Sequence, residues 1–251
     1  MNTNQLKELA ASFAVDFVTS GMSVGLGSGS TALFALKRIA RLLAAGELED
    51  IRCVPSSAII EQAALKLAIP LVSLEEYPAL DITIDGADEV DHELNLIKGG
   101  GGALLREKIL AQASRREMIV VHEAKLSPVL GSRKPVPVEV LPFGWKTQSD
   151  FLESLGAEVK LRSERPGVFR TDQGNYILDC RFGPLTDRDG LVRELESRAG
   201  IIEHGIWTGL ATDVIVAGRR GVRHLRRNEG GRPASDSGPG LSPGLSSPEG
   251  A

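Results

Sequence analysis

The sequence predicts an α/β fold, a mostly parallel sheet with helices on both faces, followed by a small α+β domain. Three observations carry this. Helical and strand-like patterns alternate over the first 130 residues, the rhythm of βαβ units. Pro128, Pro135, Pro137 and Pro142 then interrupt the alternation. Beyond them, two helical patterns and three strand-like runs occupy about 70 residues, the content of a small antiparallel unit.

Each element has its own signal. Leu6, Leu9, Ala10, Phe13, Ala14 and Phe17 recur at three- and four-residue spacing, so an amphipathic helix opens the chain. Met22 to Leu26 is a short apolar strand, followed by a Gly/Ser turn and a helix from Ser30 to about Ala45. Arg52 to Val54 reads as a strand, and Ser57 to Ala68 as a helix entered through Ser56 or Ser57 as cap. Asp81 to Ile84 is a strand ending in acids, Ala103 to Ala113 a helix and Glu117 to Val121 a strand. After the prolines come a helix at Lys146 to Leu155 and strands near Ala157 to Leu161, Val168 to Arg170 and Tyr176 to Asp179. A helix at Arg188 to Ala199 follows. Asp213 to Ala217 reads as a last strand, and periodicity alone does not say which sheet receives it.

Composition narrows the function. The 42% apolar and 25% charged content is that of a globular chain, and 251 residues suffice for one large domain or two small ones. A net charge of −4 gives no global drive toward nucleic acid or anionic membranes. No apolar run approaches the roughly 18 residues of a membrane span, and the first residues lack a signal-peptide pattern. Cys53 and Cys180 stand alone without metal-ligand spacing, and the four histidines share none either. A cytoplasmic enzyme is the expectation. The charge is unevenly placed: Arg219, Arg220, Arg223, Arg226 and Arg227 form a basic cluster ahead of a stretch in which Gly, Ser and Pro fill 15 of 24 positions. Such a stretch buries too little apolar surface to offset its ordering entropy and reads as a disordered tail. Without residues 219–251, which hold six Arg and three acids, the rest carries an excess of seven negative charges.

Three segments could carry chemistry. Gly25-Leu26-Gly27-Ser28-Gly29-Ser30-Thr31 lies between a strand and a helix, where glycines admit an anion to the backbone and free amides meet phosphate oxygens. A tight turn with an ordinary cap is the plainer reading; neither the P-loop nor the dinucleotide fingerprint fits. In Asp81 to Asp91, acids follow a buried strand, facing the crevice where open α/β sheets bind ligands. Crowded carboxylates suit proton transfer, a magnesium site or merely a solvated turn. Lys98 precedes Gly99, Gly100, Gly101 and Gly102, a run that serves close backbone approach to a substrate or a lid hinge. Lys98 suits a developing oxyanion, and Glu107, in the first turns of the next helix, suits a general base or simply complements the helix dipole. Lys7 and Lys125 are weaker candidates for a phosphate contact.

Together, and in this order, the three segments resemble A-type ribose-5-phosphate isomerases. Further matching stretches are Val54-Pro55-Ser56-Ser57, Pro137-Val138-Glu139-Val140-Leu141-Pro142 and Gly174-Asn175-Tyr176-Ile177-Leu178-Asp179, so the likeness covers about residues 1–220. It implies a Rossmann-like domain (1–128 plus 202–220) with an inserted ferredoxin-like α+β domain (129–201), leaving 221–251 as tail. It also implies interconversion of ribose 5-phosphate and ribulose 5-phosphate in the pentose phosphate pathway, with neither metal nor organic cofactor, by a homodimer or homotetramer. By similarity, Glu107 is the base, Asp85 assists ring opening and proton movement at the oxygens, and Asp88 and Lys98 stabilise the enediolate. Ser28, Gly29, Ser30 and Thr31 cradle the substrate, with Gly86, Ala87, the Gly99–Gly102 run, Lys125 and Lys7 alongside. Two departures stand out: Ser28 replaces a usual Thr, and His122 a usual Asp. Related sugar-phosphate deaminases or lactonases would need a catalytic His, a sugar-phosphate sensor would lack the Lys98/Glu107 pair, and a magnesium phosphotransferase would need a nucleotide loop.

Overall fold

The computed structural model describes residues 1–227; the Gly/Ser/Pro-rich stretch 228–251, read above as a tail, lies outside the described residues. The chain opens with helix α1 (Thr3–Val15), started by a capping box in which Asn2 and Gln5 satisfy each other's backbone amides. Strand β1 (Ser23–Leu26), helix α2 (Gly29–Ala44), strand β2 (Arg52–Pro55), helix α3 (Ala58–Lys66) and strand β3 (Ile82–Asp85) follow as two crossovers. Ser57 is the α3 cap, accepting from the Ile60 amide. Two short strands, β4 (Glu89–Val90) and β5 (Leu96–Ile97), precede helix α4 (Leu104–Ala113) and strand β6 (Glu117–His122).

The proline-rich stretch contains a strand the sequence reading did not find, β7 (Val136–Val140). Pro137 has no N–H to donate, and the regular ladder on that side has ended one residue away, where His204 pairs Val138. Helix α5 (Trp145–Ser154), strand β8 (Glu158–Leu161), the hairpin β9 (Ser163–Glu164) and β10 (Gly167–Val168), strand β11 (Tyr176–Arg181), helix α6 (Arg188–Ser197) and strand β12 (Ile201–His204) complete this part. Its antiparallel sheet runs β12-β7-β11-β8, the order of a ferredoxin-like βαββαβ unit. Of the strand expected at Val168 to Arg170, only Val168 is in a strand, as the last residue of the separate β9–β10 hairpin. A domain boundary at 201/202 would cut β12, which pairs with β7 and belongs to the small sheet.

The chain returns through β13 (Ile206–Trp207), which pairs with β5, to β14 (Asp213–Gly218) and β15 (Gly221–Arg226). Strand β14 lies parallel to β6, so the last expected strand joins the first sheet. Residues 221–226, assigned above to the tail, pair antiparallel with β14 as an edge strand; Val222 and Leu225, on opposite faces, are partly buried against the two cores, while Arg223 and Arg226 stay exposed. The large sheet is β15-β14-β6-β3-β1-β2, parallel but for β15. Small residues Ala10, Ala11 and Ala14 let α1 lie close on β6 and β14, closing one core with α2. On the opposite face Leu96, Trp207, Ile119 and Val214 form a second core. No helix among the described residues is long and apolar enough to cross a membrane.

Candidate active site

From β1 the chain crosses by α2 to β2 on one side, and from β3 by α4 to β6 on the other, so the loops after β1 and β3 part from each other. Open α/β sheets bind ligands at such a switch point. Here the two loops are Gly27 to Ser30 and Asp85 to Asp88. A side chain at Gly27 would overlap the Asp85 carboxyl, which is why glycine stands there. Asp85 Oδ1 accepts from the amides of Ser28 (3.0 Å) and Gly86 (2.7 Å), and its Oδ2 from Lys98 Nζ (2.8 Å). One carboxylate therefore ties both loops to one ammonium.

Lys98 is the centre of the site. Its Nζ also donates to Gly86 O (2.7 Å), pairs with Glu107 Oε2 (3.2 Å) and sits 4.8 Å from the centre of the Trp207 ring. Lys98 and Asp85 are 2% and 1% exposed, and Glu107 5%. Burial alone would pull Lys98 down, but the Asp85 and Glu107 carboxylates reverse this and hold it charged, above its ordinary range. Burial, with the Asp85 charge beside it, pushes Glu107 up to about 7 against the pull of Lys98. Burial likewise raises Asp85. The dipole reading of Glu107 is thus inadequate: it stands in the first turn of α4 but turns inward to Lys98.

Around this pair lies a cleft of about 230 Å³. Its walls are residues 28–31, 86–88 and 98–101, together with Glu107, Lys7, Lys125 and His122. The three segments read from the sequence therefore converge. Lys7 Nζ donates to Ser30 Oγ (2.9 Å), and Lys125 lies 3.8 Å from Asp88, whose other oxygen accepts the Gly100 amide at 2.8 Å. Burial, then the charges of Lys125 and Lys7, lowers His122 and keeps it neutral at this wall. Ser28 Oγ bonds Ser56 Oγ (2.7 Å) and Ser57 Oγ (3.0 Å), so its hydroxyl is held by the start of α3. Two expected residues do not line the cleft. Asp85 lies beneath the floor with both oxygens engaged, and Gly102 faces an adjoining cavity against Phe169.

Two residues near the site escaped the sequence reading. Glu117 pairs with Thr83 in register, on the sheet face that also carries Asp85, and is 1% exposed with neither carboxylate oxygen hydrogen-bonded among the described residues. Burial, then the Asp85 charge, raises it well above the ordinary carboxylate range. Its place at the head of an apolar strand gave no sign of this. The second, Arg162 of the small domain, donates through Nη1 to Gly99 O (2.9 Å) and Gly100 O (3.3 Å). It is 63 residues from its partner.

A buried carboxyl poised near neutrality, an ammonium beside it and a Gly/Ser loop opening a helix at a sheet switch point are the parts an aldose–ketose isomerase of sugar phosphates requires. Comparison with known proteins gives the family. Residues 52–221 match the family model of ribose 5-phosphate isomerase A (phosphoriboisomerase A). The chain is 53% identical over 231 residues to ribose-5-phosphate isomerase A of Chloroflexus aurantiacus, covering 92% of this chain and 97% of that one. It is 44% identical to the probable chloroplastic ribose-5-phosphate isomerase 3 of Arabidopsis thaliana, covering 90% and 85%. Among solved structures, ribose 5-phosphate isomerase from Plasmodium falciparum superposes with a TM-score of 0.87 at 39% identity, covering 90% and 99%. A D-ribose-5-phosphate isomerase in complex with phospho-erythronic acid gives 0.88 at 40% identity, covering 90% and 100%. The chain belongs to the ribose 5-phosphate isomerase A family.

Proposed function

We propose that this site interconverts D-ribose 5-phosphate and D-ribulose 5-phosphate through an enediolate, with Glu107 as the base. The observation that carries the assignment is Glu107 itself: it faces the cleft, sits 3.2 Å from Lys98 and has its carboxyl pushed up to about 7. A base near the working pH is both ionised enough to take a proton and basic enough to hold it. In the aldose-to-ketose direction, the Glu107 carboxylate removes the C2 proton and the electron pair forms the C1–C2 double bond. The enediolate oxygens then meet Lys98 Nζ and the free amides of the cleft. Glu107 returns its proton to C1 while the O2 proton passes to O1, so the product is an isomer and nothing is consumed.

The other assignments follow the geometry. Residues 28–31 at the start of α2, with Lys7 and Lys125, supply the amides and charges that suit a phosphate. Asp88 fixes the Gly100 amide and approaches Lys125, lining the cleft beside Lys98. Asp85 takes a different part from the proton transfer its sequence position suggests: with both oxygens engaged it holds Lys98 and the two loops in place. A non-catalytic sensor has no use for a buried base and ammonium, which argues against that alternative.

Residues 129–204 act as the inserted domain and residues 1–128 with 205–227 as the main domain in this reading, in a homodimer or homotetramer serving the pentose phosphate pathway of the cytoplasm. Two buried free thiols, Cys53 and Cys180, suit a reducing compartment. The test is Glu107→Gln. Turnover should fall by about 10³-fold or more, within the range of a lost general base, while ribose 5-phosphate still binds. Near-wild-type turnover would sink the assignment.

A further inference from the structure

Arg162 sits just after β8 in the small domain and reaches across to the glycine run. Its Nε donates to Asp179 Oδ2 (3.0 Å), its Nη2 to Asp179 Oδ1, and its Nη1 to the carbonyl oxygens of Gly99 and Gly100 (2.9 and 3.3 Å). The guanidinium lies 5.7 Å from the centre of the Phe169 ring, and that ring fills the space a side chain at Gly102 would take. Arg162 and Asp179 side chains are 15% and 22% exposed. A planar fork held by a carboxylate at two points has little freedom to let go of what its third nitrogen grips.

What it grips decides where two amides point. In a trans peptide the C=O and N–H lie in one plane and point in opposite directions. The Gly99 carbonyl is bound by Arg162, and the Gly100 N–H of that same peptide points across to Asp88 Oδ2 at 2.8 Å. The Gly100 carbonyl is bound by Arg162 in turn, so the Gly101 N–H of that peptide points away from the guanidinium. Gly101 lines the cleft, and its amide donates to no protein acceptor among the described residues. Gly99 adopts φ +97°, and a side chain at Gly100 would stand 2.8 Å from Asp88 Oδ1, so the run has no side chains of its own to fix these planes.

We infer that Arg162, oriented by Asp179, is a positioning residue for the isomerisation: it aims the Gly101 amide at the enediolate oxygens and steadies Asp88 through the Gly100 amide. The small domain is then part of the catalytic apparatus. It acts through the backbone of the other domain without touching substrate. This rests on the isomerase reading above, and the wild-type protein's turnover of ribose 5-phosphate tests that reading separately from the variants.

The test compares wild type with Arg162→Gln, Arg162→Lys and Asp179→Asn, in the full chain. Arg162→Gln should lower kcat by about 100-fold, the scale of a misplaced or lost oxyanion donor, with KM changed less than about threefold. Arg162→Lys should retain part of the activity, and Asp179→Asn should lose about tenfold because the fork is loosened but present. Affinity for phospho-erythronic acid, whose planar carboxylate carries charge as the enediolate does, should fall with kcat. Affinity for inorganic phosphate should not. Wild-type kcat in Arg162→Lys and Asp179→Asn, or an equal loss of phosphate and phospho-erythronic acid affinity, would overturn the inference. Those two variants keep the test decisive should Arg162→Gln fail to fold.

Discussion

Glu107 gives the most quantitative prediction, the pH dependence of kcat/KM. With its carboxyl at about 7, the ionised fraction rises from about one-eleventh at pH 6 to about ten-elevenths at pH 8, a tenfold change. The substrate's phosphate loses its second proton near pH 6, which adds about a factor of two over the same interval if the dianion is the bound form. The expected ratio of kcat/KM between pH 8 and pH 6 is therefore about 20. A base at the ordinary value of 4.5 would be ionised throughout, leaving only the factor of two. The assay is initial-rate conversion of ribose 5-phosphate across pH 5 to 9 at constant ionic strength. A ratio near 2 would refute the argument that burial and Asp85 set the strength of this base.

Other outcomes follow from the same geometry. Gly27→Ala places a methyl on the Asp85 carboxyl, so one loop must move; kcat/KM should drop by about 100-fold, and an activity within about threefold of wild type would contradict the anchoring role of Asp85. Glu117→Leu removes a buried carboxyl that has no hydrogen-bond partner among the described residues and should raise Tm by about 5 °C, read by calorimetry. Because the folded state holds the Glu117 proton more tightly than the unfolded chain, stability is lost as pH rises from the ordinary carboxylate value, so this gain should be larger at pH 8 than at pH 5. A lower Tm in that variant at pH 8 would show that the carboxyl is bonded in solution. Chelator should leave turnover unchanged, because Lys98 Nζ already occupies the position between Asp85 and Glu107 that a cation would take; loss restored by magnesium would reverse that reading.

The parts of the molecule legible in the sequence were those whose signal is local. The apolar strand Ser23–Leu26, the glycine loop after it and Glu107 at the head of α4 each combine a pattern with a position, and the structure joins them in one cleft. Strand β7 was hidden because Pro137 is ordinarily a reason to reject a strand, and only the early end of the β12 ladder makes it admissible. Strand β15 was hidden by its arginines, which are the charges an exposed edge carries. Arg162 recognises carbonyl oxygens, which every residue has, so nothing in the glycine run announces its partner. Glu117 looked like the polar first residue of a strand, and its burial depends on Thr212 of the returning chain, whose hydroxyl receives its amide.

That return has a bearing on how the protein is made. Strand β6 lies in the middle of the large sheet, yet its neighbour β14 arrives only after the whole small domain, with Glu117 and Thr212 separated by 95 residues. During synthesis the chain up to His122 presents β6 as a bare edge of Met118, Ile119, Val120 and Val121, a run with few polar interruptions. Nearby, Ile119 and Val121 wait uncovered for Val214, Val216 and Trp207. Closing so distant a pair is slow, and the exposed edge is open to a neighbouring nascent chain meanwhile. The insertion that brings Arg162 to the active site thus also sets the interval in which the half-made sheet is vulnerable.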